Sequence, residues 1–280
     1  MCKKVITSIM IFLSLLQGGF ALAMSNNEEK VMTREEICKD NFRKLFGGEA
    51  LSKTGNDAEM MNILQKYIFG EVFTIGDLDM KTREMITVVS LSVQQTLPQL
   101  KAHINAALNV GVTPVELREA IYECAPFIGF PKTLNAIGVM NEVFKERGIE
   151  TPIANQTTTT ENDRFEKGKA IQEPIYSDEI KQMLKGLPDN MGDEVARLLI
   201  EVCFGDFYTR TGLDLKTREL MTIVILTTTG NTQTLKSHII GNLKAGNDEK
   251  TIAATIIQTM PYVGFPNSIA ALKTLKEVQK

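Results

Sequence analysis

The strongest constraint on the fold is a repeat that runs through the chain at a fixed offset of 135 residues. The motif Asp79-Met-Lys-Thr-Arg-Glu84 returns as Asp214-Leu-Lys-Thr-Arg-Glu219, and Gly129-Phe-Pro131 returns as Gly264-Phe-Pro266. The two halves align without a gap over this stretch, which is too regular for chance. A repeat of this kind predicts that the chain is a duplicated domain.

Helical patterns fill both copies. Thr33 and Glu36 form a predicted capping box at a helix start, and Thr113 and Glu116 form a second one. The stretch 81–94 is apolar on most faces, which is typical of a buried helix. Its β-branched residues would also suit a strand, but strands usually run about 3–10 residues, so its length favours a helix. We therefore predict an all-α fold in both copies.

Residues 1–23 have the pattern of a secretory signal peptide. Lys3 and Lys4 precede an apolar run over residues 5–16, and Ala21-Leu-Ala23 has the small residues of a cleavage site. The apolar run is short for a membrane span. A membrane anchor or a short buried helix is the alternative interpretation. The pattern predicts a secreted or periplasmic protein.

The rest of the chain divides at a polar, threonine-rich stretch. We predict a first domain over residues 24–150, a linker over 151–163 and a second domain over 164–280. No other segment reaches the roughly 18 apolar residues of a transmembrane helix, so we expect no membrane contact after signal cleavage. The formal net charge of −3 comes without a basic patch, which argues against nucleic acid as a partner.

The chain has two histidines, and both occupy the same place in the repeat. His103 follows Glu84 by nineteen residues, and His238 follows Glu219 by the same interval. A turn near residues 96–98 would fold one helix back on the other and bring each glutamate to its histidine. A carboxylate beside an imidazole fixes the tautomer of the ring and suits general acid–base catalysis. The alternative is a structural pair that ties two helices together.

Two arginines and three cysteines complete the set of candidates. Arg83 and Arg218 each precede the glutamate of a pair, where a guanidinium could bind the carboxylate of a substrate. Cys38, Cys124 and Cys203 follow the predicted signal, and no two have a spacing typical of a metal site or a redox pair. We predict no metal site, and we expect all three cysteines to be buried as small apolar residues.

These motifs resemble one family. Together with Gln99-Leu-Lys-Ala-His103 and Thr113-Pro-Val-Glu116, the repeated motifs are similar to the carboxymuconolactone decarboxylase family, which includes the alkylhydroperoxidase D-like proteins. Arg164-Phe-Glu-Lys-Gly168 resembles the family's N-terminal helix. The resemblance covers nearly all of the chain after the predicted signal. It implies two tandem all-α domains and a homo-oligomer, a trimer of tandem chains.

The hydroperoxidase branch of that family carries a Cys-x-x-Cys pair ahead of the histidine. Thr96 and Gln99 occupy those positions in the first copy, and Asn231 and Thr234 occupy them in the second. Thiolate is the nucleophile of that peroxide chemistry. We therefore predict no alkylhydroperoxidase or peroxiredoxin-type antioxidant activity based on a disulfide.

Cys124 offers one alternative, as a single peroxidatic cysteine near Gly129 that could line the same pocket as His103. Thr259 occupies the matching place in the second copy. A reactive cysteine needs a low pKa and exposure to solvent, and the sequence does not establish either property for Cys124.

The decarboxylase branch lacks the cysteine pair, as this chain does. The resemblance implies a cofactor-free lyase that acts on a small carboxylated lactone or enol acid. Carbon dioxide would leave, His103 or His238 would deliver a proton, and the paired glutamate would orient the ring. The alternative from another class is a non-enzymatic extracytoplasmic oligomer that binds a small acid or a partner in the same place. The sequence leaves open which copy is active.

Overall fold

The computed structural model describes residues 31–278, and residues 32–278 belong to one compact unit. The predicted signal peptide, residues 1–23, lies outside the described residues. Within the described range the chain is helical and contains no strand, so the predicted all-α fold is confirmed. None of the helices in this range is long and apolar enough to cross a membrane.

Each repeat contributes seven α-helices to the described part of the chain. The first repeat forms α1 (Arg34–Phe46), α2 (Ala58–Gly70), α3 (Met80–Gln94), α4 (Leu97–Asn109), α5 (Pro114–Tyr122), α6 (Ala125–Ile128) and α7 (Phe130–Glu146). The second repeat forms α8 (Arg164–Tyr176), α9 (Glu179–Met183), α10 (Met191–Leu198), α11 (Leu215–Thr229), α12 (Thr232–Lys244), α13 (Glu249–Val263) and α14 (Phe265–Val278). A π-helix, Leu199–Tyr208, continues from α10, and short 3₁₀ turns cover Val72–Thr74 and Pro188–Asn190.

The helix starts follow from local side chains. Thr33 caps α1 and Thr113 caps α5, each in a complete capping box as the sequence predicts. Asp79 accepts a hydrogen bond from the backbone N–H of Thr82 at the start of α3, and Asp214 does the same for α11. The repeated Asp-x-Lys-Thr motif is therefore a helix start, which fixes where each buried helix begins.

Helices α3 and α11 form the centre of the fold. Every residue from 83 to 93 in α3 is buried, and so is every residue from 218 to 228 in α11. The two helices pack against each other, and Ser90 Oγ lies 3.2 Å from Thr228 Oγ1 between them. The largest apolar cluster includes Ile86 from the first repeat and Met221 from the second. The two repeats therefore share one core.

The threonine-rich linker lies along the surface of this core between α7 and α8. The hydroxyl of Thr158 donates to the carbonyl of Thr209 at 2.9 Å, and the N–H of Thr211 donates to the carbonyl of Gln156 at 3.0 Å. Arg118 donates to the carbonyl of Ala154 at 2.7 Å. These bonds attach the linker to both repeats, so the linker is an ordered strap.

The first helices of the two repeats align at an offset of 130 residues, whereas the rest of the repeat aligns at 135. A Cβ on Gly70 would meet the carbonyl of Arg34 at 2.5 Å, and a Cβ on Gly205 would meet that of Arg164 at the same distance. These equivalent close contacts fix the alignment. The second repeat thus has five more residues after its first helix, in the segment that forms α9.

The Thr113 cap gives a direct test of this fold. Thr113→Ala should lower the free energy of unfolding by about 1 kcal/mol, because the backbone N–H of Glu116 loses its acceptor. Urea denaturation measures the change. Thr113→Ser keeps the oxygen and serves as the control, so equal stability of the Ala and Ser variants would contradict the assigned cap.

Candidate functional site

The structure brings each glutamate to its histidine. Glu84 and Glu219 lie near the starts of α3 and α11 and are fully buried. His103 lies in α4 and His238 in α12, on helices that fold back after a left-handed residue, Gln95 in the first repeat. The predicted juxtaposition is therefore present in both repeats, although the two pairs differ in detail.

The first pair is in direct contact. His103 Nδ1 lies 2.8 Å from Glu84 Oε2, and 11% of the histidine side chain is exposed. The rings of Phe46 and Tyr262 pack edge-on against the imidazole, with centroids 5.6 and 5.9 Å away. Tyr262 belongs to the second repeat. The first site is thus a Glu–His pair covered by aromatic rings from both repeats.

The second pair is separated by a tyrosine. His238 Nδ1 and Glu219 Oε2 are 3.7 Å apart, and the hydroxyl of Tyr176 lies between them. That hydroxyl donates to Glu219 Oε2 at 2.6 Å and lies 2.7 Å from His238 Nδ1. The hydroxyl of a phenol has one proton, and here that proton points to the Glu219 carboxylate. The phenol oxygen of Tyr176 therefore accepts its second hydrogen bond from Nδ1–H of His238. This tautomer leaves Nε2 as the ring nitrogen that can face a ligand.

The phenylalanine and the tyrosine that contact each histidine occupy opposite positions in the two sites. Phe46 ends α1 at the position that Tyr176 occupies in α8. The second aromatic ring at each site comes from the opposite repeat. Tyr262 covers the first site, and its counterpart Phe127 covers the second, with its centroid 5.6 Å from that of the His238 ring. Each histidine therefore contacts one phenylalanine and one tyrosine, but the tyrosine comes from the opposite repeat in the first site and from the same repeat in the second.

A glycine accompanies Tyr176. A Cβ on Gly241 would lie 2.3 Å from the Tyr176 hydroxyl, whereas Ala106 occupies the matching place in the first repeat. Glycine in a helix interior costs about 1 kcal/mol relative to alanine. Its presence in α12 therefore has a local reason, which is room for the tyrosine between Glu219 and His238.

The environment keeps Tyr176 protonated. Burial raises the pKa of the phenol, and the negative charge of Glu219 together with the hydrogen bond to it raises this pKa further. The group thus acts as a neutral hydrogen-bond bridge from the imidazole to the carboxylate.

A cavity of about 480 Å³ opens beside the relay, which is the hydrogen-bonded series Glu219, Tyr176 and His238. Ligand pockets commonly have volumes of about 300–1,000 Å³. Helix α9 and the π-helix supply part of the wall, and π-helical turns often occur at functional sites. The lining residues are Phe127, Gln172, Tyr176, Glu179, Ile180, Met183, Leu199, Cys203, Phe204, Tyr208, Gln233, Thr234, Ser237 and His238. The five additional residues of the second repeat thus contribute to a cavity that reaches His238.

Arg83 and Arg218 bind protein groups across the interface between the repeats. Arg83 is 2% exposed and donates to Gln258 Oε1 at 2.8 Å. Arg218 is fully buried and donates to Glu123 at 2.9 Å and Glu119 at 3.1 Å. Gln258 and Glu123 occupy equivalent places in the repeat. Neither arginine is among the lining residues of the cavity, so their predicted binding of a substrate carboxylate stays a prediction.

The acidic partners of Arg218 differ in protonation. Burial raises the pKa of Glu123 to about 7, because the opposing effect of Arg218 is smaller and the charge of Glu219 adds to the rise. Burial also disfavours ionised Glu119, but its hydrogen bonds and charge contacts with Arg210 and Arg218 outweigh burial and lower its pKa. The interface therefore holds one carboxylate that is stably ionised and one that titrates near neutrality.

All three cysteines of the described range are buried and free, as predicted. Burial raises the pKa of the Cys124 thiol far above its ordinary value. This environment disfavours the thiolate that a single peroxidatic cysteine needs. It argues against the alternative reading of Cys124.

Sequence reasoning missed Tyr176 and Gly241. Tyr176 would have emerged from aligning Arg34–Phe46 with Arg164–Tyr176 at the offset of 130, because this pairs Phe46 with Tyr176. Gly241 already pairs with Ala106 at the offset of 135, but the difference has no meaning until Tyr176 is placed beside it. The single offset of 135 that fits the rest of the repeat hides the correspondence between Phe46 and Tyr176. The contribution of α9 to the cavity had no such signal, since that segment has no counterpart helix in the first repeat.

The relay predicts a measurable change in geometry. Tyr176→Phe removes the bridging hydroxyl, so Glu219 Oε2 and His238 Nδ1 should close to a direct hydrogen bond near the 2.8 Å seen between Glu84 and His103. A crystal structure of the variant measures this distance. Retention of the 3.7 Å separation would show that the tyrosine does not hold the pair apart.

The raised pKa of Glu123 predicts that the free energy of unfolding depends on pH. Its folded pKa of about 7 exceeds the ordinary value of 4.5, so its stabilising contribution is present below pH 4.5 and is lost as pH rises through 7. Glu123→Gln does not titrate and reproduces Gln258 of the other repeat. Between pH 5 and pH 8 the free energy of unfolding of the variant should rise by on the order of 2–3 kcal/mol relative to that of wild type. Urea denaturation at both pH values measures this, and a constant difference would contradict the assignment.

Comparison with known proteins agrees with the repeat. The sequence profile of the carboxymuconolactone decarboxylase family matches residues 58–142 and again residues 193–277. Each match contains one Glu–His pair. A solved chain from Burkholderia xenovorans, described as a gamma-carboxymuconolactone decarboxylase subunit, aligns with a TM-score of 0.50 and 22% identity over 86% of this chain and 96% of its own. This likeness shows a shared fold.

Two curated proteins are also similar. A 4-carboxymuconolactone decarboxylase of Acinetobacter baylyi is 32% identical over 132 residues, which are 47% of this chain and 98% of that protein. A nitrosuccinic acid decarboxylase of Metarhizium robertsii is 29% identical over 121 residues, which are 42% of this chain and 81% of that protein. With family matches over more than half of its length, the chain belongs to the carboxymuconolactone decarboxylase family and carries two copies of the domain.

Proposed function

We propose that the second repeat carries a cofactor-free decarboxylase site that acts on a small carboxylated lactone or enol acid. The observation that carries this proposal is the cavity of about 480 Å³ that reaches His238, whose ring is held by Tyr176 and the buried Glu219. Two similar proteins are decarboxylases of small acids by name. This names the reaction class and leaves the individual substrate to experiment.

The chemistry requires one proton at carbon. When a carboxylate leaves as CO₂, the electron pair of the broken C–C bond passes to the adjoining carbon and its conjugated carbonyl as an enolate. Nε2–H of a protonated His238 then gives its proton to that carbon, and solvent restores the proton. The net change is RCO₂⁻ plus H⁺ to RH plus CO₂. Tyr176 and Glu219 orient the ring and stabilise the imidazolium through Nδ1–H.

The apolar wall assists the bond-breaking step. Ile180, Phe204 and Phe127 surround the space beside His238. A carboxylate held at His238 beside this wall loses much of its hydration, whereas the CO₂ that forms from it is neutral and needs none. Replacing water by such surroundings destabilises the reactant relative to the transition state. The cavity therefore supplies the environment, and His238 supplies the proton.

The first repeat has a different place in the proposal. His103 pairs directly with Glu84 and is packed between Phe46 and Tyr262. This is the arrangement of a structural pair that ties α3 to α4. We assign His103 that role and expect the reaction to depend on His238.

The same proposal includes self-association of the chain and its location outside the cytoplasm. Phe130 and Leu134 of α7 are exposed by 58% and 61%, and their counterparts Phe265 and Ile269 of α14 are each exposed by 57%. Matching apolar faces on both repeats favour self-association, in line with the expected trimer of tandem chains. The pattern at residues 1–23 supports a location outside the cytoplasm.

His238→Ala should lower kcat/KM for decarboxylation at least about 100-fold, because a positioned acid–base group contributes that much or more. The assay follows CO₂ release from carboxylated lactones and enol acids. His103→Ala is the matched control and should keep kcat/KM within about threefold of wild type. Circular dichroism checks that both variants fold.

Two outcomes would contradict the proposal. An unchanged rate in the His238 variant, together with a strong loss in the His103 variant, would place the reaction in the first repeat. Binding of such acids without CO₂ release from any of them would favour the non-enzymatic alternative, a small-acid-binding oligomer.

A further inference from the structure

We propose that the cavity of the second repeat selects a monocarboxylate with an apolar body and discriminates against dicarboxylates, in contrast to the similar protein that is named for nitrosuccinic acid, a dicarboxylic acid. The inference rests on the proposed function only for the location of the site, because it concerns binding and not turnover. The carboxylate would lie at Nε2 of His238, with the apolar part along the wall formed by α9 and the π-helix.

The charges of the cavity carry the argument. Among its lining residues no lysine or arginine occurs, so a protonated His238 is the single cationic group that they can offer. Arg218, which directly precedes Glu219, is instead bound to Glu119 and Glu123 at the repeat interface. One carboxylate can therefore form a charge-assisted hydrogen bond in the cavity, and a second would find no counter-ion.

The rest of the lining separates apolar from neutral polar groups. Ile180, Met183 and Leu199 provide apolar surface, while Gln233, Thr234 and Ser237 provide uncharged hydrogen-bonding groups near α12. Neutral groups compensate poorly for the hydration that a second buried carboxylate would lose. An apolar body loses nothing by the same transfer and gains from burial.

Glu179 adds a repulsive element at the mouth of the cavity. Its carboxylate accepts a hydrogen bond from the Ser237 hydroxyl at 2.9 Å and is otherwise on the exposed side of α9. A ligand that points a second carboxylate outward from His238 would meet this negative charge. Solvent screens the repulsion, so its effect is modest.

Matched probes test the selectivity. We would titrate the full chain at about pH 6, where imidazole is commonly protonated in part, with 3-phenylpropanoate, its amide, and 4-(2-carboxyethyl)benzoate. The two histidine imidazoles report binding by NMR, and His103 serves as the internal control. We expect 3-phenylpropanoate to bind at least about tenfold more tightly than the other two probes, with shifts confined to His238.

Equal or tighter binding of the dicarboxylate would overturn the proposal, and so would equal binding of the amide. His238→Ala should remove the preference for carboxylate over amide. Glu179→Gln should narrow the preference for mono- over dicarboxylate by about two- to fivefold, because one screened repulsion is lost. Circular dichroism confirms that the variants fold.

Binding and turnover separate the two proposals. If 3-phenylpropanoate binds with the stated preference and no acid releases CO₂, the ligand class stands and the decarboxylase proposal fails. If CO₂ release depends on His238 and dicarboxylates bind as well as monocarboxylates, the decarboxylase proposal stands and this inference fails.

Discussion

The packing of α3 against α11 is the interaction on which the rest of the structure depends. Both helices are buried on nearly every face, so neither repeat could cover its central helix alone. Two consecutive residues near the start of each helix have different roles, the first in the interface between the repeats and the second in the Glu–His pair. Arg83 and Arg218 reach into the opposite repeat, and the next residue in each case, a glutamate, faces the histidine of its own repeat.

This arrangement makes each site depend on both repeats. The ring that covers His103 from outside its repeat is Tyr262, and the ring that covers His238 is Phe127. A loss of the repeat interface would therefore expose both imidazoles. It also explains why buried charge is concentrated there, since Glu119 and Glu123 hold Arg218 next to Glu219.

Three differences between the copies lie at the second site. Tyr176 replaces a phenylalanine, Gly241 replaces an alanine, and α9 adds a wall. The first two changes are physically linked, because the tyrosine hydroxyl occupies the space that a Cβ at 241 would fill. The third creates volume beside the ring. Together they distinguish the bridged Glu–His pair beside a cavity in the second repeat from the direct pair of the first repeat.

The sequence by itself determined the duplication, the helix starts and the two Glu–His pairs. These features are local or periodic: Thr33 and Thr113 act within a single turn, and a buried helix with a short turn after it brings residues nineteen apart together. Only the tertiary structure decided the roles around these pairs. Tyr176 reaches His238 across 62 residues, and the partners of Arg218 lie 95 and 99 residues away. Such contacts depend on how two pseudo-symmetric halves pack, which no local pattern encodes.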